Sequence, residues 1–268
     1  MTTQSTEKGS LLFIHGFLGQ ARDGSFLQFS GWENASLDFF SPLTPKYQDY
    51  SFQELSQKIN EYALSQMKAP RVLVAYSWGA RLALHALCVN PELYAGAVLI
   101  GAHPGLMDED QKKKRQASDE VWASRFLNEE WDVLIQDWNG QGVFQSPIAK
   151  DNPRFESEFS RSSLALALKN CSLGRQKDLR PFLRSLPLPL LWVVGEEDLK
   201  FKELYSQLRA LESSRSQFVQ IPHSGHRVHL DQPERLKETI QTFLDLVVQQ
   251  STPSRKTASG EQILSEEK

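Results

Sequence analysis

Apolar residues fall along this chain in short runs separated by stretches of helical period. Leu11-Leu12-Phe13-Ile14 is the first run and ends at His15-Gly16. Leu37 to Phe40 is a second, closed by Pro42 and Pro45. Arg71 to Ala75, Ala97 to Ile100, Leu190 to Val194 and Gln217 to Ile221 follow. Runs this short, rich in branched residues, predict buried strands of a parallel sheet. Phe52, Leu55, Ile59, Tyr62, Ala63 and Met67 recur at helical spacing and predict an amphipathic helix over 52–67, stopped by Pro70. Trp78 to Val89, 201–211 and 233–249 read as further helices. Alternation of strand and helix requires crossover connections. The fold class is therefore α/β, a mostly parallel central sheet flanked by helices on both faces.

The stretch 104–184 breaks this rhythm. It holds no convincing buried strand and reads as several helices rich in Lys, Arg and Trp, so it is expected to be a helical lid inserted between two strands. The core is then 10–103 together with 185–250, after a polar N-terminus, 1–9. The tail, 251–268, is polar, contains Pro253 and Gly260, and is expected to be disordered. Within the insertion, Lys112-Lys113-Lys114 reads as a solvated helix face.

Composition narrows the function. Of 268 residues, 40% are hydrophobic and 24% charged, as in ordinary globular proteins, and the formal charge is −3. A chain without a basic excess is a poor partner for nucleic acid. Met1 to Ser10 is polar, with no signal-peptide core, and no apolar run approaches the length of a membrane helix. A cytoplasmic enzyme acting away from the membrane is expected. Two cysteines, Cys88 and Cys171, are too few for a disulfide framework or a structural zinc site.

The sharpest chemical signal is Ala75-Tyr76-Ser77-Trp78-Gly79. A serine that follows a strand, opens a helix and has small residues two positions either side is a nucleophile elbow, with alanine for the first glycine. Its partners follow in the order Ser, Asp, His. Asp198 comes just after the strand 190–194, with Glu196 and Glu197 as alternatives. His226 comes after the strand 217–221, with His223 and His229 as rivals. His15-Gly16-Phe17 ends the first strand, where an oxyanion hole would take the N–H of Phe17 alongside that of Trp78. Arg81 lies one helical turn after Ser77, so its guanidinium either approaches the pocket and suits a carboxylate-bearing substrate, or is paired elsewhere.

Over residues 10–248 these parts resemble the α/β-hydrolase superfamily. More specific stretches are Tyr76 to Arg81, Gly101 to Leu106, Arg115 through Asp119, Trp122-Ala123, Asp137-Trp138, Val143-Phe144, Gly195 to Phe201 and Gly225 to Leu230. Together they resemble one family, the 2-succinyl-6-hydroxy-2,4-cyclohexadiene-1-carboxylate (SHCHC) synthases of menaquinone biosynthesis. In place of the family's Gly-Tyr-Ser-x-Gly-Gly-Arg, two glycines here are Ala75 and Ala80.

The resemblance implies a lyase that eliminates pyruvate from a tricarboxylate small molecule. It implies a Ser77–His226–Asp198 triad in which the serine acts as base, and no metal or organic cofactor. It places substrate-binding arginines at Arg81 and Arg115, and a third at Arg161, with Arg154 as the alternative. It also places Tyr76, Trp138 and Phe144 in the pocket. A C–C bond or carboxylester hydrolase using Ser77 as nucleophile is the competing enzyme. A ligand-binding protein on the same scaffold would be expected to have lost a triad member.

Overall fold

The computed structural model describes residues 7–44, 50–144, 153–209 and 215–251. The expected tail disorder falls on 252–268, outside the described residues, and most of the polar N-terminus lies outside them too. Six strands form one sheet among the described residues: β1 (Gly9–Ile14), β2 (Trp32–Leu37), β3 (Arg71–Tyr76), β4 (Gly96–Ile100), β5 (Leu190–Gly195) and β6 (Ser216–Ile221). Their spatial order is β2-β1-β3-β4-β5-β6, and every pair is parallel.

Each central strand buries both faces, so its residues divide by parity between two cores. Leu12, Ile14, Leu73, Ala75 and Leu99 face one core; Leu11, Phe13, Val72, Val74 and Val98 face the other. The first core is covered by α1 (Phe52–Gln66), α2 (Trp78–Val89) and α7 (Leu199–Arg209). The second is covered by α8 (Val228–Asp231) and α9 (Pro233–Ser251), through Leu236, Ile240, Phe243 and Leu244. Helix α1 starts where Ser51 and Glu54 satisfy each other's backbone N–H groups. Between β4 and β5 lie α3 (Glu109–Asn128), α4 (Trp131–Asn139), α5 (Arg161–Asn170) and α6 (Arg180–Leu183). The insertion joins the first core through Phe126, Trp131, Leu134, Trp138 and Leu164. Cys88 and Cys171 are unpaired, and burial pushes both thiols up to about 12.

The strand expected at 37–40 is displaced. Residues Trp32–Leu37 pair with β1 instead, from Gly9 opposite Trp32 to Ile14 opposite Leu37. An edge strand needs only its backbone and one buried face, so Glu33, Asn34 and Ser36 serve where apolarity was sought. The apolar run leaves the sheet, and Phe39 and Phe40 fold beneath His15 and Trp78.

The strand order reverses direction at β1 and β3. Open α/β sheets form a crevice at the carboxyl ends of such strands. The loop carrying Phe17 leaves β1 there, and Ser77 leaves β3 beside it. Gly79 makes this possible: a Cβ at that position would fall against the carbonyl oxygens of Ile14 and His15. Gly79→Ala is expected to destabilise the protein by about 3 kcal/mol, as other backbone overpacking does. A thermal melt unchanged from that of the parent would show that the two strand ends are not held together by this contact.

Candidate active site

Ser77 sits between β3 and α2 with φ 51° and ψ −111°, a conformation that costs a non-glycine residue about 1–3 kcal/mol. The rest of the turn holds it there: its N–H donates to the Ile100 carbonyl at 2.8 Å. Neither the Trp78 N–H, first in α2, nor the Phe17 N–H finds an acceptor among the described residues. The Trp78 indole turns away and packs between Phe39 and Phe40, with ring centroids at 5.4 and 5.2 Å. The Phe17 loop is fixed from behind by the buried His15, whose Nδ1 donates to the Gly16 carbonyl and whose Nε2 accepts the Phe39 N–H.

The structure brings Ser77, His226 and Asp198 into line. Ser77 Oγ is 3.0 Å from His226 Nε2, and His226 Nδ1 is 2.6 Å from Asp198 Oδ2. A carboxylate can only accept, so Nδ1 carries the proton and Nε2 presents its lone pair to the serine hydroxyl. The other Asp198 oxygen accepts from the Phe201 N–H at 3.3 Å, which ties the carboxylate to the start of α7. The alternatives fall elsewhere. Glu196 accepts from the His223 N–H, and His229 is buried against the Tyr76 ring at 4.5 Å.

A cavity of about 300 Å³ opens over Ser77 and His226. Phe17, Tyr76, Trp138 and Phe144 line it, as do Arg81 and Arg115. Trp138 stacks toward Phe17 at 4.7 Å, and Phe144 stands 5.9 Å from the His226 ring. Arg81 is buried and donates to the Cys171 carbonyl at 3.0 Å. Burial, reinforced by Arg115, pulls its guanidinium down to about 10, so it still carries its charge at neutral pH. Arg115 donates through Nε to both oxygens of Asp119, one turn along α3, and its terminal nitrogens make no hydrogen bond among the described residues.

Arg161 does not reach this cavity. Its Nη1 donates to the carbonyls of Phe126 and Glu129 at the end of α3, its Nε pairs with Glu156, and its guanidinium covers Trp131. Orphan carbonyls at a helix C-terminus attract a cation, and α5 begins within reach of them. The alternative, Arg154, is buried in an ion pair with Asp23 at 2.7 Å and donates to Gln20. It lines a small neighbouring pocket instead.

Among the described residues the third cation of the main cavity is Lys200, which sequence reasoning missed although it lies in the Gly195–Phe201 motif. Burial, then Arg115, holds its ammonium below the usual lysine value. With Asp119 against the three cations, the lining carries a net excess of positive charge. His103 and Trp122 also line the cavity and went unassigned. Among the described residues no cluster of three or more His, Cys, Asp or Glu could hold a metal ion, and no helix is long and apolar enough to cross a membrane.

Comparison with known proteins finds relatives over most of the chain. The alpha/beta hydrolase family profile matches residues 11–239. The 2-succinyl-6-hydroxy-2,4-cyclohexadiene-1-carboxylate synthase of Enterobacter sp. (strain 638) is 31% identical over 247 residues, 88% of this chain and 92% of that protein. The enzyme of the same name from Salmonella agona (strain SL483) is 30% identical over 88% of this chain and 94% of its own length. Among solved structures, MenH from S. aureus superposes with a TM-score of 0.79 at 21% identity, covering 92% of this chain and 97% of that one.

Proposed function

The chain belongs to the alpha/beta hydrolase family and, within it, to the SHCHC synthases, and from that premise we propose that it eliminates pyruvate from 2-succinyl-5-enolpyruvyl-6-hydroxy-3-cyclohexene-1-carboxylate. The observation that carries this reading is a serine–histidine–aspartate relay opening into a cavity with a net positive lining. A substrate with three carboxylates needs fixed cations, and a neutral ester does not. Arg81, Arg115 and Lys200 supply them.

Ser77, relieved of its proton by His226, removes the ring proton beside the succinyl ketone. The C–H electrons form an enolate, whose oxygen is held by the N–H groups of Phe17 and Trp78. Those electrons return through the ring double bond and break the C–O bond to the enolpyruvyl group. The leaving enolate takes a proton and departs as pyruvate, and a conjugated cyclohexadiene remains. An oxyanion hole stabilises an enolate as it does a tetrahedral intermediate, so the hydrolase machinery is reused without an acyl-enzyme.

The test is pyruvate release by the purified protein. The substrate is generated enzymatically from isochorismate and 2-oxoglutarate, and the diene chromophore is followed in parallel. Release well above spontaneous decay supports the reading. No acceleration, with turnover of aryl esters or diketo acids instead, would move the function to the hydrolase alternative.

The cation assignment has its own test. Arg81→Met is expected to lower kcat/KM by about thirtyfold or more, the effect of losing a charged hydrogen bond of about 2 kcal/mol. Arg161→Met should leave kcat/KM within about twofold, as surface substitutions do, and act on the melting temperature alone. Equal kinetic losses in both variants would refute this division.

A further inference from the structure

Of the cavity's polar side chains that the elimination leaves without a task, His103 is buried, whereas Ser118 and Gln141 are not. His103 lies three residues beyond Ile100, whose carbonyl anchors the Ser77 N–H. Its ring is buried, lines the same cavity as Ser77, and stands edge-on to Phe201 at 6.3 Å.

The ring's protonation is set by its own turn. Gly105 donates its backbone N–H to His103 Nδ1 at 3.1 Å. A nitrogen that accepts has no proton, so the neutral ring carries its hydrogen on Nε2. The turn itself is pinned. Gln176 donates to the His103 carbonyl at 2.8 Å, Leu179 N–H donates to the Pro104 carbonyl, and Arg180 donates to the Gly105 carbonyl at 2.9 Å. The ring can neither flip nor swap tautomers without losing the Gly105 bond. Nε2 has no partner among the described residues and is not sealed off as an unpaired buried atom.

We propose that His103 donates its Nε2–H to a substrate oxygen in the part of the cavity that Arg81 and Lys200 make positive, acting as an uncharged donor of fixed tautomer. The proposal rests on the pyruvate-elimination reading. Arginine and lysine attract any carboxylate nearby. A single N–H on a rigid ring accepts an oxygen along one direction only, so His103 selects how the anion lies against Ser77. Neutrality is enforced from all sides. Burial dominates, and the charges of Arg81 on α2, Lys200 on α7, Arg180 on α6 and Arg115 on α3 act with it.

Two substitutions separate this role from a structural one. His103→Asn places its amide oxygen where Nδ1 was, which keeps an acceptor for Gly105 and removes the Nε2 donor. His103→Gln places an amide N–H near the lost Nε2 and gives up the Gly105 contact. A substrate donor predicts that Asn lowers kcat/KM for pyruvate release by about tenfold or more, the worth of one hydrogen bond, and that Gln recovers most of it. A purely structural histidine predicts the reverse order. Asn at the parent rate, or Gln below Asn, overturns the proposal. Should either variant fail to fold, the ring nitrogens of the parent enzyme are read by ¹⁵N NMR at neutral pH. An Nε2–H tautomer whose proton shifts on adding the cyclohexadiene product supports the role, and an Nδ1–H tautomer or an unshifted proton overturns it. Absence of pyruvate release by the parent enzyme would instead count against the reaction itself. The tautomer is read without turnover, so the two failures are told apart.

Discussion

Ser77→Ala is expected to slow pyruvate release at least about a thousandfold, the usual effect of losing a positioned general base. The residue replaced is the hydrogen-bond partner of His226 Nε2 among the described residues, at 3.0 Å. Alanine keeps the backbone conformation that serine already occupies at φ 51° and leaves the cavity cations in place. The loss should therefore appear in kcat, with KM changed little and the melting temperature preserved. A variant within about tenfold of the parent would show that another group takes the proton. The same experiment separates elimination from hydrolysis. If Ser77 attacks carbon, the enzyme gains the mass of an acyl group during turnover, visible by intact-protein mass spectrometry. If Ser77 acts only as base, the mass stays constant while pyruvate accumulates.

The hydrogen-bonded line of Ser77, His226 and Asp198 was legible because each residue is fixed by its own neighbourhood. Ser77 is defined by a strand, a turn and a helix contiguous in sequence, Asp198 by the end of β5 and the cap of α7, and His226 by the loop after β6. Phe17 and Trp78 follow from the same strand ends. Local pattern misplaced β2 because hydrogen bonding to β1 outweighs hydrophobicity at a sheet edge, and Glu33, Asn34 and Ser36 carry no periodic signal. Arg161 was misplaced for a different reason. It stands in the insertion, where a long cation can turn toward the cavity or toward any helix end. The exposed carbonyls closing α3 decided it, and no spacing along the chain encodes their position relative to α5. Lys200 was passed over because its motif was read for the aspartate two residues earlier. His103 stood in a resembling stretch, but its fixed tautomer is visible only once Gly105 is seen to donate to it.

Acid should unfold this protein early. Burial, with Arg81 next, pulls His85 down to about 4 and His103 to about 3; burial also pulls His229 to about 4 against the opposing pull of Asp23. His15 is lowered by burial as well. In the unfolded chain each of these titrates near the ordinary value of 6.5. As pH falls below 6.5 the unfolded state takes up protons that the folded state refuses, so stability that is complete above 6.5 drains away down to the folded values. Each histidine removes about 2 kcal/mol between its unfolded value and about pH 5, so three of them remove about 6 kcal/mol. Thermal melts from about pH 8 to about pH 5 should hold level at first and then fall steeply. A flat series would mean that these rings are charged or exposed in the folded protein. His85 allows the cause to be isolated, because it stacks on Phe52 at 4.6 Å and its buried Nε2 has no partner among the described residues. His85→Phe keeps the stack, removes one titrating group and should flatten the slope by about a quarter to about a third, since His15 also takes a share. Pyruvate release at neutral pH should not change, since His85 lies outside the cavity that holds Ser77. The shares of His103 and His229 cannot be removed so cleanly: one lines that cavity and the other packs on Tyr76, so part of the acid sensitivity is built into the site.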